Sequence, residues 1–334
     1  MKRFAFDFER PLIELETKLD ELKRLQPAEK ADIAAEIRYL EEQIQKLRIR
    51  TYSNLTPWQK VQIARHPDRP RTSDYIEAIF TDFIELHGDR TYRDDPAIIG
   101  GLARLAGEKV MVIGHQKGRN TKENIARNFG MPHPEGYRKA RRLMKMANKF
   151  GLPLITFVDT QGAYPGIGAE ERGQAVAIAE NLMELSVLEV PVIVTVIGEG
   201  GSGGALAIGF GDRIIMLENA YYSVITPEGC ASILWDGGGG ADKAAEALGL
   251  TAERLLELKI IDVVVKEPLG GAHHAPALVA RDVKKELEKA LADLKNVDPK
   301  QLVEKRYARL RNIGVYTQTD PKAINLNTGE MVNH

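Results

Sequence analysis

The segment best suited to chemistry is the glycine-rich run Gly198–Gly204, which lies between the apolar run Val192–Ile197 and the helix-forming residues Ala205–Ile208. Glycine allows backbone N–H groups to approach a ligand closely. The N-terminus of a helix adds unpaired N–H donors and a positive potential. A strand, a glycine-rich turn and a helix in this order predict a backbone site for an oxyanion or a phosphate. The alternative is a tight turn that only allows close helix packing.

Two nucleotide-binding motifs can be compared with this segment. A G-x-G-x-x-G pattern starts at Gly198 and matches the dinucleotide-binding fingerprint, which requires a full-length helix and a following strand that ends in an acidic residue. Glu218 does follow the next predicted strand, but Phe210–Asp212 ends the helix after about two turns. No Lys-Ser or Lys-Thr pair follows the glycines, which excludes a phosphate-binding P-loop.

A G-x-S-x-G pattern centred on Ser202 also matches the nucleophile elbow of serine hydrolases. That mechanism requires an acidic residue and then a histidine further along the chain. Asp262 is followed by His273 and His274, so the order is available. The match has little specificity, because the chain contains 47 acidic residues and 7 histidines. A serine hydrolase therefore stays open as an alternative function.

A second loop, Asp159–Gly168, also follows an apolar strand-like run and leads into a predicted helix. Its glycines and Pro165 indicate a defined loop conformation. Two neighbouring loops that both offer backbone N–H groups suit an enolate or a tetrahedral oxyanion better than a side-chain nucleophile. Taken alone, the second loop is equally compatible with an ordinary strand-to-helix connection.

Other polar residues have simpler explanations beside the chemical ones. The basic run His115–Lys122, together with Arg127, could bind phosphates or a carboxylate, or could be a solvated loop. Cys230 is a single cysteine beside apolar residues on a predicted helix, and it is expected to be a small core residue rather than a nucleophile. His273 and His274 are adjacent and point apart on a helix or strand, so a solvated or capping role is expected rather than metal binding.

Hydrophobic periodicity predicts the elements that position these residues. Two amphipathic helices within residues 10–50, separated by Pro27, predict a helical hairpin whose apolar stripe packs on itself, on the core or on a partner subunit. Further predicted helices are Pro57–His66, Asp74–His87 capped by Thr72 or Ser73, Pro134–Phe150, Ala169–Leu188, Pro227–Leu234, Asp242–Leu248, Ala252–Leu258, Ala275–Leu294 and Pro299–Asn312. Predicted strands are Ala97–Leu105, Lys109–Gln116, Pro153–Val158, Pro191–Ile197, Arg213–Leu217, Tyr221–Ile225 and Ile261–Lys266. This alternation predicts an α/β domain with helical ends.

Composition limits the class of protein. The chain has 334 residues and a formal net charge of −1, which gives no general attraction to nucleic acid or to an anionic membrane. One cysteine excludes an internal disulfide and a cysteine-rich metal site. No apolar run approaches the roughly 20 residues of a membrane span, and the N-terminus lacks the apolar centre of a signal peptide. A cytoplasmic location is therefore expected.

Longer runs of sequence carry more specific information than any of these short motifs. They are Asp7–Pro11, Gly114–Arg119, Asn128–Pro132, Pro134–Lys139, Gly162–Gly166, Ala169–Gln174, Gly198–Ile208, Ser223–Trp235 and Pro268–His273. Together they closely resemble the carboxyltransferase α subunit of bacterial-type acetyl-CoA carboxylase. The resemblance extends from about Phe4 to about Gly314.

The resemblance implies a crotonase-like (ClpP/crotonase) α/β fold of repeated ββα units, with an N-terminal helical hairpin and C-terminal helices. The expected division is a hairpin at residues 1–56, a carboxyltransferase domain at 57–314 and a disordered tail at 315–334. The resemblance also implies an α2β2 complex with active sites between the subunits. Its further partners would be the biotin carboxyl carrier protein and biotin carboxylase. Zinc is expected on the β subunit and no metal on this chain.

The implied reaction transfers a carboxyl group from carboxybiotin to acetyl-CoA and forms malonyl-CoA for fatty-acid synthesis, while ATP is used by biotin carboxylase. Such a reaction needs one oxyanion hole for the enolate of acetyl-CoA and another for the ureido oxyanion of biotin. The resemblance assigns the second hole to the N–H groups of Gly203 and Gly204, with Ala205 as an alternative donor. Because a biotin nitrogen can take the acetyl proton, no protein base is required.

The resemblance also implies substrate-binding roles for residues beside that hole. Gly162 and Ala163 would form the neighbouring wall of the site, and the basic residues Lys117, Arg119 and Lys122 would contact anionic groups. Two other functions stay open at this point. One is the serine hydrolase built on Ser202, and the other is a scaffold without catalysis that only binds a related subunit.

Overall fold

The computed structural model describes residues 4–24, 33–235 and 240–314. Two predicted features lie outside these residues, the turn around Pro27 and the tail at 315–334.

The predicted N-terminal hairpin is confirmed as helices α1 (Arg10–Lys23) and α2 (Ala34–Tyr52). Their apolar stripes meet each other, and a small core of leucine and isoleucine side chains is buried between them: Leu12, Leu19, Leu40 and Ile44. The hairpin joins the rest of the molecule through ring contacts such as that between Phe4 and His66, whose centroids are 5.1 Å apart. Most of the stripe is thus covered within the hairpin itself.

Within the described residues, the strands form an eight-stranded mixed sheet in the order β1-β2-β3-β4-β5-β6-β8, and β7 pairs with the end of β5. The strands are β1 (Thr81–Glu85), β2 (Ile98–Leu105), β3 (Glu108–His115), β4 (Leu154–Thr160), β5 (Val192–Gly201), β6 (Arg213–Leu217), β7 (Tyr221–Ser223) and β8 (Val263–Val265). The first three are antiparallel, and pairing is parallel from β3 onward. The predicted hairpin of β2 and β3 is confirmed.

The helices cover both faces of this sheet. After the hairpin they are α3 (Pro57–Ala64), α4 (Thr72–Ile79), α5 (Thr121–Ala126), α6 (Pro134–Phe150), α7 (Ile167–Glu171), α8 (Gln174–Val187), α9 (Ser202–Leu206), α10 (Pro227–Leu234), α11 (Ala241–Leu248), α12 (Ala252–Glu257), α13 (Pro276–Leu294) and α14 (Pro299–Arg311). Thr156 of β4 faces the α9 side, where its hydroxyl donates to the Ile208 carbonyl. The next residue, Phe157, faces α4 and contacts Tyr75 and Phe80. Every residue of β4 and β5 is buried, so these two strands form the centre of the core.

One predicted helix, Asp74–His87, was wrong in its second half. Helix α4 ends at Ile79, Phe80 is extended, and the next five residues form β1. Strand β1 pairs with β2 at the edge of the sheet, and this pairing decides the conformation of a segment whose local pattern fits a helix. The predicted cap is also wrong, because Arg71 is the N-cap residue and the Thr72 hydroxyl instead donates to the His115 carbonyl.

A second predicted helix, Ala169–Leu188, is two helices. Gly173 has a φ of +81° and separates α7 from α8. This left-handed conformation is readily adopted by glycine and redirects the chain between the two helices. The break places α8 along α6 and leaves α7 beside the loop that follows β4.

Candidate active site

The candidate site lies where β4 and β5 end. The predicted end of β5 at Ile197 was wrong, because the strand continues through the glycines to Gly201. Residues Glu199–Gly201 pair with β7, and Gly200 also lies opposite Thr160 of β4. Much of the segment predicted as a turn is therefore a strand between two others. The chain turns only at Ser202, which has a φ of +58°, and α9 starts there.

Two glycines bring the loops after β4 and β5 into backbone contact. A Cβ on Gly201 would lie 2.2 Å from the Gln161 carbonyl oxygen. A Cβ on Gly204 would lie 2.4 Å from the carbonyl carbon of Gly162 and 2.5 Å from the nitrogen of Ala163. Neither distance leaves room for a side chain. The structure therefore places Gly162 and Ala163 directly against the predicted hole.

Gly203 has different surroundings. A Cβ there would meet only Ile178, at an ordinary contact distance of 3.7 Å. Gly203 and Gly204 occupy the second and third positions of α9, where a helix provides no acceptor for the N–H group. In the described part of the chain, no acceptor is bonded to either N–H. The Ala205 N–H is in a different position, because it is the first that can bond within the helix, to the Gly201 carbonyl.

His115 connects this turn to the sheet. Its Nδ1 accepts from the N–H of Asp159 at 3.4 Å, and its Nε2 lies 3.2 Å from the carbonyl oxygen of Gly204. Burial lowers the pKa of His115 to about 3, so the ring is neutral at pH 7. Since Nδ1 accepts, the single proton is on Nε2, which donates to Gly204. In the sequence, His115 stands out only as part of a basic run, because nothing local indicates where its ring points.

A buried charge cluster lies beside the same strand ends. The Lys117 ammonium is 2.7 Å from Asp159 Oδ1 and 2.8 Å from Glu199 Oε1. Arg65 Nε and the Tyr221 hydroxyl donate to the other oxygen of Glu199. Burial alone would raise the pKa of Glu199, but the charges of Lys117 and Arg65 outweigh it and lower the pKa to about 2. This cluster fixes the ends of β4 and β5 to each other.

The three basic residues that were predicted to contact anionic groups lie in different surroundings. Lys117 is enclosed between two carboxylates and presents no free charge to a ligand. Arg119 is half exposed and pairs with Asp74, and Lys122 is exposed at the start of α5. The acidic partners Asp159 and Glu199 were not predicted from the sequence. A signal was available, because an acidic residue at the end of an apolar run can indicate a buried charge cluster.

Comparison with known proteins agrees with this architecture. A family model described as acetyl co-enzyme A carboxylase carboxyltransferase-like matches residues 5–314. The chain is 58% identical over 312 residues to the acetyl-coenzyme A carboxylase carboxyl transferase subunit alpha of Thermus thermophilus, covering 93% of this chain and 99% of that protein. It is 57% identical over 318 residues to the protein of the same name from an Azoarcus species, covering 95% and 99%.

The chain belongs to the acetyl-CoA carboxylase carboxyltransferase family. The expected crotonase-like fold is confirmed by similar solved structures. One chain of a Pseudomonas malonate decarboxylase hetero-tetramer in complex with coenzyme A has a TM-score of 0.57 at 17% identity, covering 71% of this chain and 95% of that chain. Transcarboxylase 12S with hydrolyzed methylmalonyl-coenzyme A bound has a TM-score of 0.54 at 21% identity, covering 66% and 40%.

The serine hydrolase alternative lacks its catalytic partners in this family member. Ser202 has the positive φ of a nucleophile elbow, but no side chain among the described residues bonds its hydroxyl. Asp262 accepts from the Ile214 N–H at the opposite end of the sheet, where β6 begins. The ring of His273 stacks on His66, with centroids 3.7 Å apart. Within the described residues, no Ser-His-Asp arrangement is assembled around Ser202.

Other predicted properties can be compared with the described residues. Cys230 is buried in a small apolar cluster, as expected of a core cysteine. No group of three or more His, Cys, Asp or Glu residues suited to a metal ion occurs within the described ranges. In the same part of the chain, every helix is too short or too polar to cross a membrane.

Proposed function

We propose that this chain is the α subunit of a carboxyltransferase that moves a carboxyl group from carboxybiotin to acetyl-CoA and forms malonyl-CoA. The observation that carries the proposal is the pair of N–H groups on Gly203 and Gly204, which have no bonded acceptor among the described residues, with Gly204 held against the backbone of Gly162 and Ala163. Two backbone donors in a fixed position stabilise an oxygen that gains negative charge during a reaction.

The residues present suit the ureido oxygen of a biotin ring. Gly204 has no room for a side chain, so the backbone of the two loops forms a narrow cradle. Carboxybiotin, when bound, supplies the carboxyl group. Gly203 and Gly204 donate hydrogen bonds to the ureido oxygen, and Gly162 and Ala163 form the adjacent wall. Because these donors are backbone groups fixed by α9, they need little reorganisation as charge develops.

No side chain of this chain acts as the base in this proposal. His115 is neutral and both of its nitrogens are occupied by backbone groups. No histidine in the described part of the chain bonds the Ser202 hydroxyl. Lys117 is neutralised by its two carboxylates. These surroundings support a mechanism that depends on backbone donors, and they leave Arg119 and Lys122 as the proposed contacts for anionic groups of the substrates.

A β subunit that completes the site is part of the proposal. Large apolar side chains near α7 to α10 are strongly exposed, including Ile167 at 76%, Met183 at 69%, Val224 at 80% and Ile233 at 74%. Exposed apolar residues of this size favour burial by another chain. We further propose an α2β2 complex in the cytoplasm, with a zinc-bearing β subunit that stabilises the acetyl-CoA enolate. The biotin carboxyl carrier protein and biotin carboxylase would be its partners.

The domain division follows the same proposal. Residues 1–56 would be a docking hairpin with its own small core, 57–314 the catalytic domain, and 315–334 a tail. As far as the described residues show, the helices of the hairpin pack mainly on each other rather than on the catalytic domain, which fits a separate role in assembly.

The test is an assay of the reverse reaction in the assembled complex. This chain is co-expressed with the β subunit of the same organism, and malonyl-CoA-dependent carboxylation of biocytin is measured. We expect activity with β and none without it. We also expect Gly204→Val to abolish activity and Ser202→Ala to retain it, with assembly checked by size-exclusion chromatography. Loss of activity in Ser202→Ala alone would support the hydrolase, and indifference to both changes would support the scaffold.

A further inference from the structure

The hydrogen bond between His115 and Gly204 crosses from the sheet to the turn that carries the proposed oxyanion hole. His115 is the last residue of β3, and its ring is completely buried. On one side the ring accepts from the Asp159 N–H at the end of β4, and on the other it donates to the Gly204 carbonyl in α9. One side chain thus links three segments that are far apart in sequence.

The Gly204 carbonyl needs this donor, because α9 is too short to supply one. In a longer helix the N–H of Ile208 would bond the carbonyl of Gly204. Here that N–H donates instead to the Ala205 carbonyl, at 3.3 Å. Without His115 the carbonyl would be buried with no donor among the described residues, which is unfavourable for a polar group.

The position of this bond matters for the reaction. As a glycine, Gly204 has wide conformational freedom, so the direction of its N–H group depends on how the following peptide is held, and Gly203 directly precedes it in the same helical turn. The Gly204 carbonyl belongs to that following peptide. We infer that His115 is a positioning residue that aims the N–H groups of Gly203 and Gly204 through its hydrogen bond to the Gly204 carbonyl. The inference rests on the proposed function of these N–H groups.

Two matched variants separate the two hydrogen bonds of the ring. In His115→Gln, the terminal amide nitrogen takes the place of Nε2 and can still donate to Gly204. In His115→Asn, the amide oxygen takes the place of Nδ1 and can still accept from Asp159, but the side chain is too short to reach Gly204. Both replacements are neutral and polar, so both perturb the buried site in a similar way.

The experiment uses the complex with the β subunit and the malonyl-CoA-dependent carboxylation of biocytin. We expect kcat of His115→Asn to be about 10-fold or more below that of His115→Gln. The KM for malonyl-CoA should stay within about twofold, because the substrate is bound as before and only the stabilised charge is misplaced. Melting temperature and assembly are measured on the same samples.

Three outcomes overturn the inference. Equal kcat values for the two variants in intact complexes would show that the bond to Gly204 is not what positions the donors. Failure of both variants to assemble would show that His115 has only a structural role. A wild-type complex without carboxyl transfer would refute the proposed function itself, and the inference with it. If the wild-type complex is active and the two variants have equal kcat values, the positioning role of His115 is refuted and the proposed function is not.

Discussion

The substitution Gly204→Ala tests the geometry of the site with a single added methyl group. The new Cβ would lie 2.4 Å from the Gly162 carbonyl carbon and 2.5 Å from the Ala163 nitrogen, whereas ordinary contacts begin at 3.4 Å. Both neighbours are backbone atoms, so α9 and the loop after β4 must separate by about 1 Å to relieve the overlap. A displacement of this size at a reacting centre costs about 100-fold in rate.

The assay is again malonyl-CoA-dependent carboxylation of biocytin by the assembled complex. We expect kcat of Gly204→Ala to fall about 100-fold. Gly203→Ala is the matched comparison, since its Cβ would meet only Ile178 at 3.7 Å and its N–H is retained. We expect it to lose less than about 10-fold. Ser202→Ala, whose hydroxyl has no bonded partner among the described residues, serves as the unaffected control.

Two results would refute this reasoning. If Gly204→Ala kept full activity, the contact between the two loops would have no bearing on the reaction. If Gly203→Ala lost as much activity as Gly204→Ala, the loss would follow from adding any methyl group to the turn. It would then not result from the overlap of a Gly204 Cβ with the backbone of Gly162 and Ala163. Size-exclusion chromatography of each variant excludes a simple failure to assemble.

Three predictions concern the buried charges. Lys117→Met leaves Asp159 and Glu199 without their shared cation and should lower the free energy of unfolding by about 3–5 kcal/mol, as measured by urea denaturation; an unchanged midpoint would contradict it. The pKa of Glu199 is lowered from 4.5 to about 2, so the stabilisation it provides is complete above pH 4.5 and is lost as the pH falls toward 2. Urea midpoints measured on acidification should therefore fall less steeply in Glu199→Gln than in the wild type, and parallel profiles would count against this. Arg306 is fully buried and bonds Asp212 and three carbonyls at the C-terminal end of α8 and just beyond it, so Arg306→Ala should cost about 3–5 kcal/mol. Arg311→Ala, at an exposed position on the same helix, should change stability by less than about 0.5 kcal/mol.

Much of the fold follows from local pattern. Helix α6 begins and ends where Pro134 and Gly151 predict, since proline suits a helix start and glycine a left-handed C-cap. The strands β4 and β5 were found as continuous apolar runs, because both faces of a parallel strand are buried. The error at β1 has the opposite cause: residues Thr81–Glu85 become a strand only because β2 lies beside them.

The residues of the candidate site likewise fall into those that local sequence reveals and those that it does not. The glycines of the turn could be found from the sequence, because their spacing between a strand and a helix has few uses. The partners of Asp159, Glu199 and His115 could not be read from the sequence, because each lies 40 to 89 positions away in the chain. Lys117 has the sign expected of an anion contact, but its two carboxylate partners give it a structural role that no local pattern reveals.

The sequence by itself determined the alternation of elements, the backbone nature of the proposed oxyanion hole and the resemblance to a carboxyltransferase subunit. These depend on local propensity and on runs of residues that lie next to each other in the chain. Only the tertiary structure decided that the glycine segment remains a strand through Gly201, and that Gly204 lies against Gly162 and Ala163. It also decided that His115 reaches the Gly204 carbonyl. Those features arise from strand pairing and packing between distant segments, and the direction of a buried side chain is set by the neighbours it meets rather than by the residues beside it in sequence.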